Sequence, residues 1–472
     1  MPAGAWWQES YIPSLHIEGD VTRVLEISRD TIEQMGEKKD MAEGMDLLDL
    51  GELVAGAGPV SSCFSVYMIA GDGRTAVIRG DQLERSYIGF SSRNGWEAFN
   101  PGHPVSTNIK GIGEIVVVLE SREDDFGLNI ITMDENITHM TPGRALLSAG
   151  RYFELGGTSF KDSEGSRFET STFEERHVIG LQETAGIRPE TVILMGSRGE
   201  YLYLGDSADI FFAVEGNRFV YQGESPGQVI TDLKGVVLDP SVSSIMDVYH
   251  DASGFIGNGT DVLLIITDGM GYHQYVYALE NGYAPYLASA SKADMALSVY
   301  RPVTNSGLAA MLTGVPPSQN GIYSREQRVP EIPTILGKLL QEGEEAVLIE
   351  GDIQVISTEI DARLHTDTDS DGTIDDEIFE AAWASLDPGA TFMAVHFHGI
   401  DDAGHDHGDM AQETMESIRE ADSYIRELAS GWRGKVIITS DHGMHSTAYG
   451  GDHGEFRYED MVVPYIIIDG GL

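Results

Sequence analysis

Basic charge is what this sequence has least of. Eight lysines and 22 arginines stand against 76 acidic residues, for a formal net charge of −46 over 472 residues. So few cations exclude partners that are gripped through Lys and Arg, namely nucleic acid and anionic membrane surfaces. An acidic excess spread along the chain keeps it soluble but makes it repel itself. A saline solvent that screens the repulsion accounts for the charge better than any partner does. Cysteine is also nearly absent. Cys63 stands alone, which excludes an intrachain disulfide and a thiolate metal cluster. Its setting, "VSSCFSVYMIA", predicts a buried structural thiol. No run approaches 18 uninterrupted apolar residues, so no membrane span is expected. No leader peptide is expected among these residues either. Ala3-Gly4-Ala5 nevertheless has the small-x-small form left by signal cleavage, which keeps export open beside a cytoplasmic location.

What is present divides in two. The first 245 residues offer short β-type runs between Gly, Asp and Asn, among them "SVYMIAG", "TAVIRG", "EIVVVLES", "TVILMGS" and "EYLYLG". In "DIFFAVEGNRFVYQG" two such runs flank "EGN", a hairpin signature. Helical patterns are few there, chiefly "RDTIEQMGEKKDMAEGM" and "TPGRALLSAGRYFEL". We expect a β-rich region over 1–245, of one or two modules and without a fixed repeat. Parts of it, "TAVIRGDQLERSYIGF" and "HPVSTNIKGIGEIVVVLES", resemble the molybdopterin-binding domain of sulfite-oxidase-type proteins without a specific motif. Only Cys63 could match that family's molybdenum-ligating thiolate, and no such cofactor is expected. A Ser-, Gly- and Asp-bearing stretch, Asp239–Thr260, reads as a linker.

Beyond Asp261 the pattern changes. Apolar runs alternate with helical ones: "VLLIITD" and "YHQYVYALENG", "AVLIEGD" and "DEIFEAAWASL", "TFMAVHFHG" and "DMAQETMESIREADSYIREL", then "KVIITSD" and "VVPYIIID". This predicts an α/β domain over 255–472, a doubly wound, mostly parallel sheet with helices on both faces. Such sheets bind ligands beyond the carboxyl ends of their strands. Asp268, Asp401 and Asp441 all stand there. Strand ends rich in Asp, His and Thr point to metal-assisted hydrolysis of an anionic substrate.

The ordered set of motifs in Asp261–Leu472 resembles the alkaline phosphatase superfamily, in its nucleotide pyrophosphatase/phosphodiesterase and phosphonoacetate hydrolase branch. "TDGMG" carries Asp268. "TNSGLAAMLTG" keeps the nucleophile segment's spacing between Thr304 and Thr313. "DDAGHDHG" fits D-x-x-G-H-x-x-G, selecting Asp401 over Asp402, with His405; "SDHGM" gives Asp441 and His442, and "DHGE" gives His453. The resemblance implies two divalent ions, zinc by preference and manganese or iron in some members. One would be held by Asp268, Asp441 and His442 and would activate Thr304. The other would be held by Asp401, His405 and His453. Thr304 would form a phospho-enzyme that water then hydrolyses. Ser306 is the rival nucleophile, and Asn305 is a candidate phosphate donor or a helix cap. His396, His398, His407 and His445 lie near these motifs but outside them, and are expected to support or to be solvated.

One departure is Gly307, where the nucleotide branch commonly has an Asn. With Arg301 the only nearby cation, the site reads as poor in donors. A phosphodiester or nucleotide pyrophosphate is therefore the expected small-molecule substrate, ahead of a monoester or phosphonate. A binding protein with a subordinate hydrolase-like domain is the alternative of another class. "DTDSDGTIDDEI" mimics the start of a calcium loop, with Asp367, Asp369 and Asp371 at ligand positions but Ile378 where a Glu belongs. A structural calcium is the expectation weighed against a solvated acidic turn.

Overall fold

The structure, a computed structural model, describes residues 12–39, 45–121, 126–135, 137–161, 163–205, 210–223, 228–240, 243–290, 292–386 and 390–471. Ala3–Ala5 lie outside them. The chain is mixed α/β with several sheets and forms two compact units. The first comprises Met1–Leu128, His139–Ile187 and Asp209–Thr231; the second comprises Asn129–Thr138, Arg188–Ala208 and Asp232–Leu472. The expected break at 245–255 thus falls inside the second unit.

The first unit is built on Lys110–Leu119, which pairs in parallel with Leu15–Gly19 and antiparallel with Phe64–Ala70. In Leu15–Gly19, Leu15 and Ile17 are buried and His16 is exposed, the period-2 alternation of a sheet with one covered face. Asp20 follows, fully buried. It accepts hydrogen bonds from the Leu119 and Gly143 amides at 2.8 and 2.7 Å and from the Thr141 hydroxyl at 2.8 Å. The expected hairpin is present: Phe211–Glu215 and Arg218–Gln222 pair across Gly216 and Asn217. Cys63 corrects the sequence reading. It is exposed, because the buried strand starts one residue later, at Phe64.

The second unit holds an eight-stranded sheet. In chain order its strands are β1 (Ser243–Ser244), β2 (Val262–Thr267), β3 (Asp294–Leu297), β4 (Ala346–Glu350), β5 (Arg363–Leu364), β6 (Phe392–Phe397), β7 (Lys435–Thr439) and β8 (Val462–Asp469). They lie in the order β1-β3-β8-β7-β2-β6-β4-β5. Pairings are parallel except those of β8 with β3 and β7. β2 and β6 are buried along their whole length, as strands covered on both faces must be. Leu263 and Ile265 of β2 join a core with Tyr275, Ile378, Ile418 and Ile425. Val262, Leu264 and Ile266 join another with Val248, Leu308 and Leu336. Those partners come from helices α1 (Asp247–Gly257), α2 (Tyr272–Glu280), α3 (Thr304–Thr313), α4 (Ile335–Glu342), α5 (Asp375–Ala384) and α7 (Gln412–Gly431). A further helix, α6 (Gly399–His407), follows β6 directly. The stretch read as a linker is therefore β1 and α1, with Val248 and Ala252 buried on one helical face.

Candidate metal centre

Parallel strands deliver their carboxyl ends to one edge of a sheet. β2 stops at Thr267, and the next amide, that of Asp268, donates to the Phe397 carbonyl at 3.0 Å, level with the end of β6. β7 stops at Thr439, and Ser440 leads to Asp441 and His442. The Ser440 hydroxyl donates to the His442 carbonyl at 2.6 Å and accepts from the Met270 amide at 3.1 Å, which ties the two strand ends together. β6 runs into α6, where Asp401 and His405, four residues apart, share a face. The buried carboxylate of Asp375 accepts from the His398 and Gly399 amides at 2.8 and 3.0 Å, supplying partners that the first turn of α6 lacks.

Seven side chains then converge. His442 Nε2 lies 3.3 Å from Asp268 Oδ1, 3.4 Å from Asp441 Oδ2 and 3.3 Å from Thr304 Oγ1. Asp401 Oδ2 is 3.4 Å from His405 Nε2, and Asp401 Oδ1 is 3.8 Å from His453 Nε2. Charge-assisted hydrogen bonds are shorter, about 2.7–2.9 Å. Ligand atoms at the corners of a tetrahedron with bonds of about 2.0 Å stand roughly 3.3 Å apart. In each of the three imidazoles the other nitrogen, Nδ1, faces a backbone carbonyl. His405 meets Gly451 at 3.1 Å, His442 meets Gly443 at 3.0 Å and His453 meets Pro302 at 2.9 Å. An Nδ1–H donated there leaves Nε2 a lone pair, open to a cation at His405 and His442 and facing the Arg325 guanidinium at His453.

The electrostatics point the same way. Asp268 Oδ1, Asp401 Oδ1 and Asp441 Oδ2 are buried with no hydrogen-bond partner among the described residues, a costly state for carboxylates unless a cation joins them. Burial, and then the charge of Asp268, push Asp401 well above the usual carboxylate range and Asp441 up to about 6. For Asp268 burial is outweighed by His396, His398 and His442, which face it and hold it well below that range. Burial, with His442 beside it, pushes His453 well down, so that it is neutral. The donor set therefore fits divalent ions. Two groups of three ligands lie each within 4.8 Å: Asp401, His405 and His453, and Asp268, Asp401 and His442.

Thr304 is the first residue of α3, so its hydroxyl sits at the helix end whose free amides and dipole favour an anion. The side-chain amide of Asn305 donates to the Gln327 and Val355 carbonyls at 2.9 and 3.4 Å, which pins the loop beyond α3. Ser306 is fully buried in the helix, and its hydroxyl makes no hydrogen bond among the described residues. Two contributors escaped the sequence. Arg325 brings its guanidinium 2.6 Å from His453 Nε2, so the donor-poor reading is corrected. Glu350, fully buried at the end of β4, lies 3.2 Å from His396 Nδ1. His445 instead pairs with Asp460 at 2.7 Å, and His407 is exposed.

In the acidic loop, Asp367 and Asp369 approach Glu377, and Asp369 and Asp371 approach Asp376. Ile378 is buried in the core, and Glu377, one place earlier, accepts from the Thr368 hydroxyl at 2.7 Å. The Asp367, Asp369 and Asp371 carboxylates accept from amides of their own turn.

The model of the type I phosphodiesterase / nucleotide pyrophosphatase family matches residues 341–463. That segment runs from the last two residues of α4 to the first two of β8 and contains Asp401, His405, Asp441, His442 and His453. A stretch of 85 residues is 32% identical to the catalytic subunit of mouse GPI ethanolamine phosphate transferase 3. It covers 17% of this chain and 8% of that protein, so the chain matches under a tenth of its relative's length. Among solved structures, phosphonoacetate hydrolase from Sinorhizobium meliloti 1021 aligns at 17% identity and TM-score 0.33, over 39% of this chain and 56% of that one. Murine ectonucleotide pyrophosphatase / phosphodiesterase 5 aligns at 18% and 0.33, over 40% and 58%. Among the described residues no helix is long and apolar enough to cross a membrane.

Proposed function

We propose that this chain hydrolyses phosphate esters, phosphodiester or nucleotide pyrophosphate bonds by preference, with Thr304 as nucleophile. The observation that carries the reading is the meeting of Thr304 Oγ1, Asp268 and Asp441 on His442 Nε2 at 3.3–3.4 Å. Asp268, Asp441 and His442 would hold one divalent ion, and Asp401, His405 and His453 a second, zinc by preference with manganese or iron as substitutes. Such ions supply Lewis acidity and offset phosphoryl charge when bound.

The chain's own groups do the rest. Thr304 loses its hydroxyl proton and its oxygen bonds to phosphorus, while the bond to the leaving alcohol breaks and that oxygen takes up a proton. Water then cleaves the phospho-threonine and restores the hydroxyl. The α3 amides orient the phosphoryl group. Arg325 offers it a planar fork of donors, and that guanidinium favours a second reading as a monoesterase or phosphonate hydrolase, because a dianion needs more donors.

Bis-p-nitrophenyl phosphate and p-nitrophenyl phosphate, each assayed with and without chelator, test the proposal. The expected result is chelator-sensitive release that is faster from the diester. Faster release from the monoester would favour the second reading, and no release from either would overturn both.

A further inference from the structure

We propose a third metal site, outside the catalytic pair, formed by Asp268 Oδ2, His396 Nε2 and His398 Nδ1. It rests on the two-ion reading, because Asp268 is shared. The two histidines stand two residues apart at the end of β6 and flank Asp268, which the sheet register sets beside them. Asp268 Oδ2 lies 3.2 Å from His396 Nε2 and 3.4 Å from His398 Nδ1, and the three atoms fall within 4.8 Å of one another. These are again the separations of ligand atoms around one ion, roughly 3.3 Å, and not of hydrogen bonds to a buried carboxylate.

The surroundings are those of a built site. His396 is fully buried, and its Nε2 makes no hydrogen bond. Its Nδ1 faces Glu350 Oε2 at 3.2 Å, and Glu350 is itself fully buried. A carboxylate behind a histidine, with the far nitrogen turned to a third ligand, is the arrangement that fixes a ligating imidazole. Asp268 divides its oxygens: Oδ1 faces His442 and the pair, while Oδ2 faces His396 and His398. The His398 side chain is 17% exposed, so the ion would keep a face open to water. Two imidazoles and one carboxylate suit zinc ahead of magnesium or calcium. From the motifs alone these histidines are expected only to support, because they fall outside the family's pattern.

The test counts ions and needs no turnover. Apo-protein is reconstituted with excess zinc, desalted, and analysed for zinc per chain by native mass spectrometry, beside His398→Gln and His396→Gln. The expected counts are three in the native protein and two in each variant. His398→Gln is the safer variant, since this side chain reaches solvent. Asp401→Asn should also lose zinc, but from the pair, so Co²⁺ absorption of the remaining site distinguishes it from the histidine variants. Two ions in the native protein, or three in native and variants alike, would overturn the third site and leave the pair standing. No zinc in the native protein would overturn the pair and the third site together.

Discussion

Gly307 and Asp441 are packed so tightly that a Cβ on Gly307 would come 2.6 Å from the Asp441 carbonyl oxygen and 2.7 Å from its Cβ. The absence of a side chain there is thus a condition for α3 to lie against the loop after β7. It also explains why the Asn common in the nucleotide branch cannot be accommodated. Gly307→Ala should displace Asp441, cost about 1–3 kcal/mol through overpacking and weaken zinc binding. Thermal unfolding and zinc titration would check it. An alanine variant with native stability and native zinc affinity would show that the loop yields freely.

Thr304 is half-buried at the start of its helix and is not a core contact, so its loss should spare the fold. Thr304→Ala should reduce kcat by about 10³-fold or more while circular dichroism and zinc content stay native. Ser306→Ala should keep most of the activity. The reverse pattern would transfer the nucleophile to Ser306.

Arg325 reaches His453 from an exposed loop, and a cation ligated at His453 Nε2 would leave the guanidinium free to face the phosphoryl oxygens. Arg325→Ala should lower kcat/KM by about 10²–10³-fold with bound zinc unchanged, the size of effect seen when one transition-state donor is removed. Arg325→Lys should restore part of it. Loss of zinc in the alanine variant would mean instead that Arg325 supports His453.

Burial is the largest influence on Asp375, and it lifts the carboxyl from 3.8 to about 6 against the hydrogen bonds from the His398 and Gly399 amides. A carboxyl whose value rises on folding binds protons more readily when folded. Its stabilising contribution is whole below about pH 4 and is lost as pH rises through about 6. Asn at this position carries no such loss. The destabilisation caused by Asp375→Asn should therefore shrink by about 1–3 kcal/mol between pH 4 and pH 7 in urea titrations. A difference that grows with pH would show that the charged carboxylate is the form the fold prefers.

The strand ends were the legible part of this chain. Val262–Thr267 and Phe392–Phe397 are unbroken apolar runs because both faces are covered, and an Asp just past such a run has few structural reasons to be there. The rest depends on pairings that sequence does not display. Glu350 meets His396 only because Ile349 is in register with Val395. Arg325 meets His453 across a loop that has no periodicity. Asp239–Thr260 passed for a linker because Ser, Gly and Asp masked the helical spacing of Val248 and Ala252. The apolar neighbours of Cys63 predict a core position, but it sits one residue outside the strand.

The central claim is that Thr304 takes the phosphoryl group before water does. The most direct measurement is the stereochemical course of hydrolysis of a phosphorothioate diester made chiral at phosphorus, run in ¹⁸O-water. Two successive in-line displacements, at Thr304 and then by water, predict retention of configuration. Inversion would mean a single direct attack by water and would contradict the account.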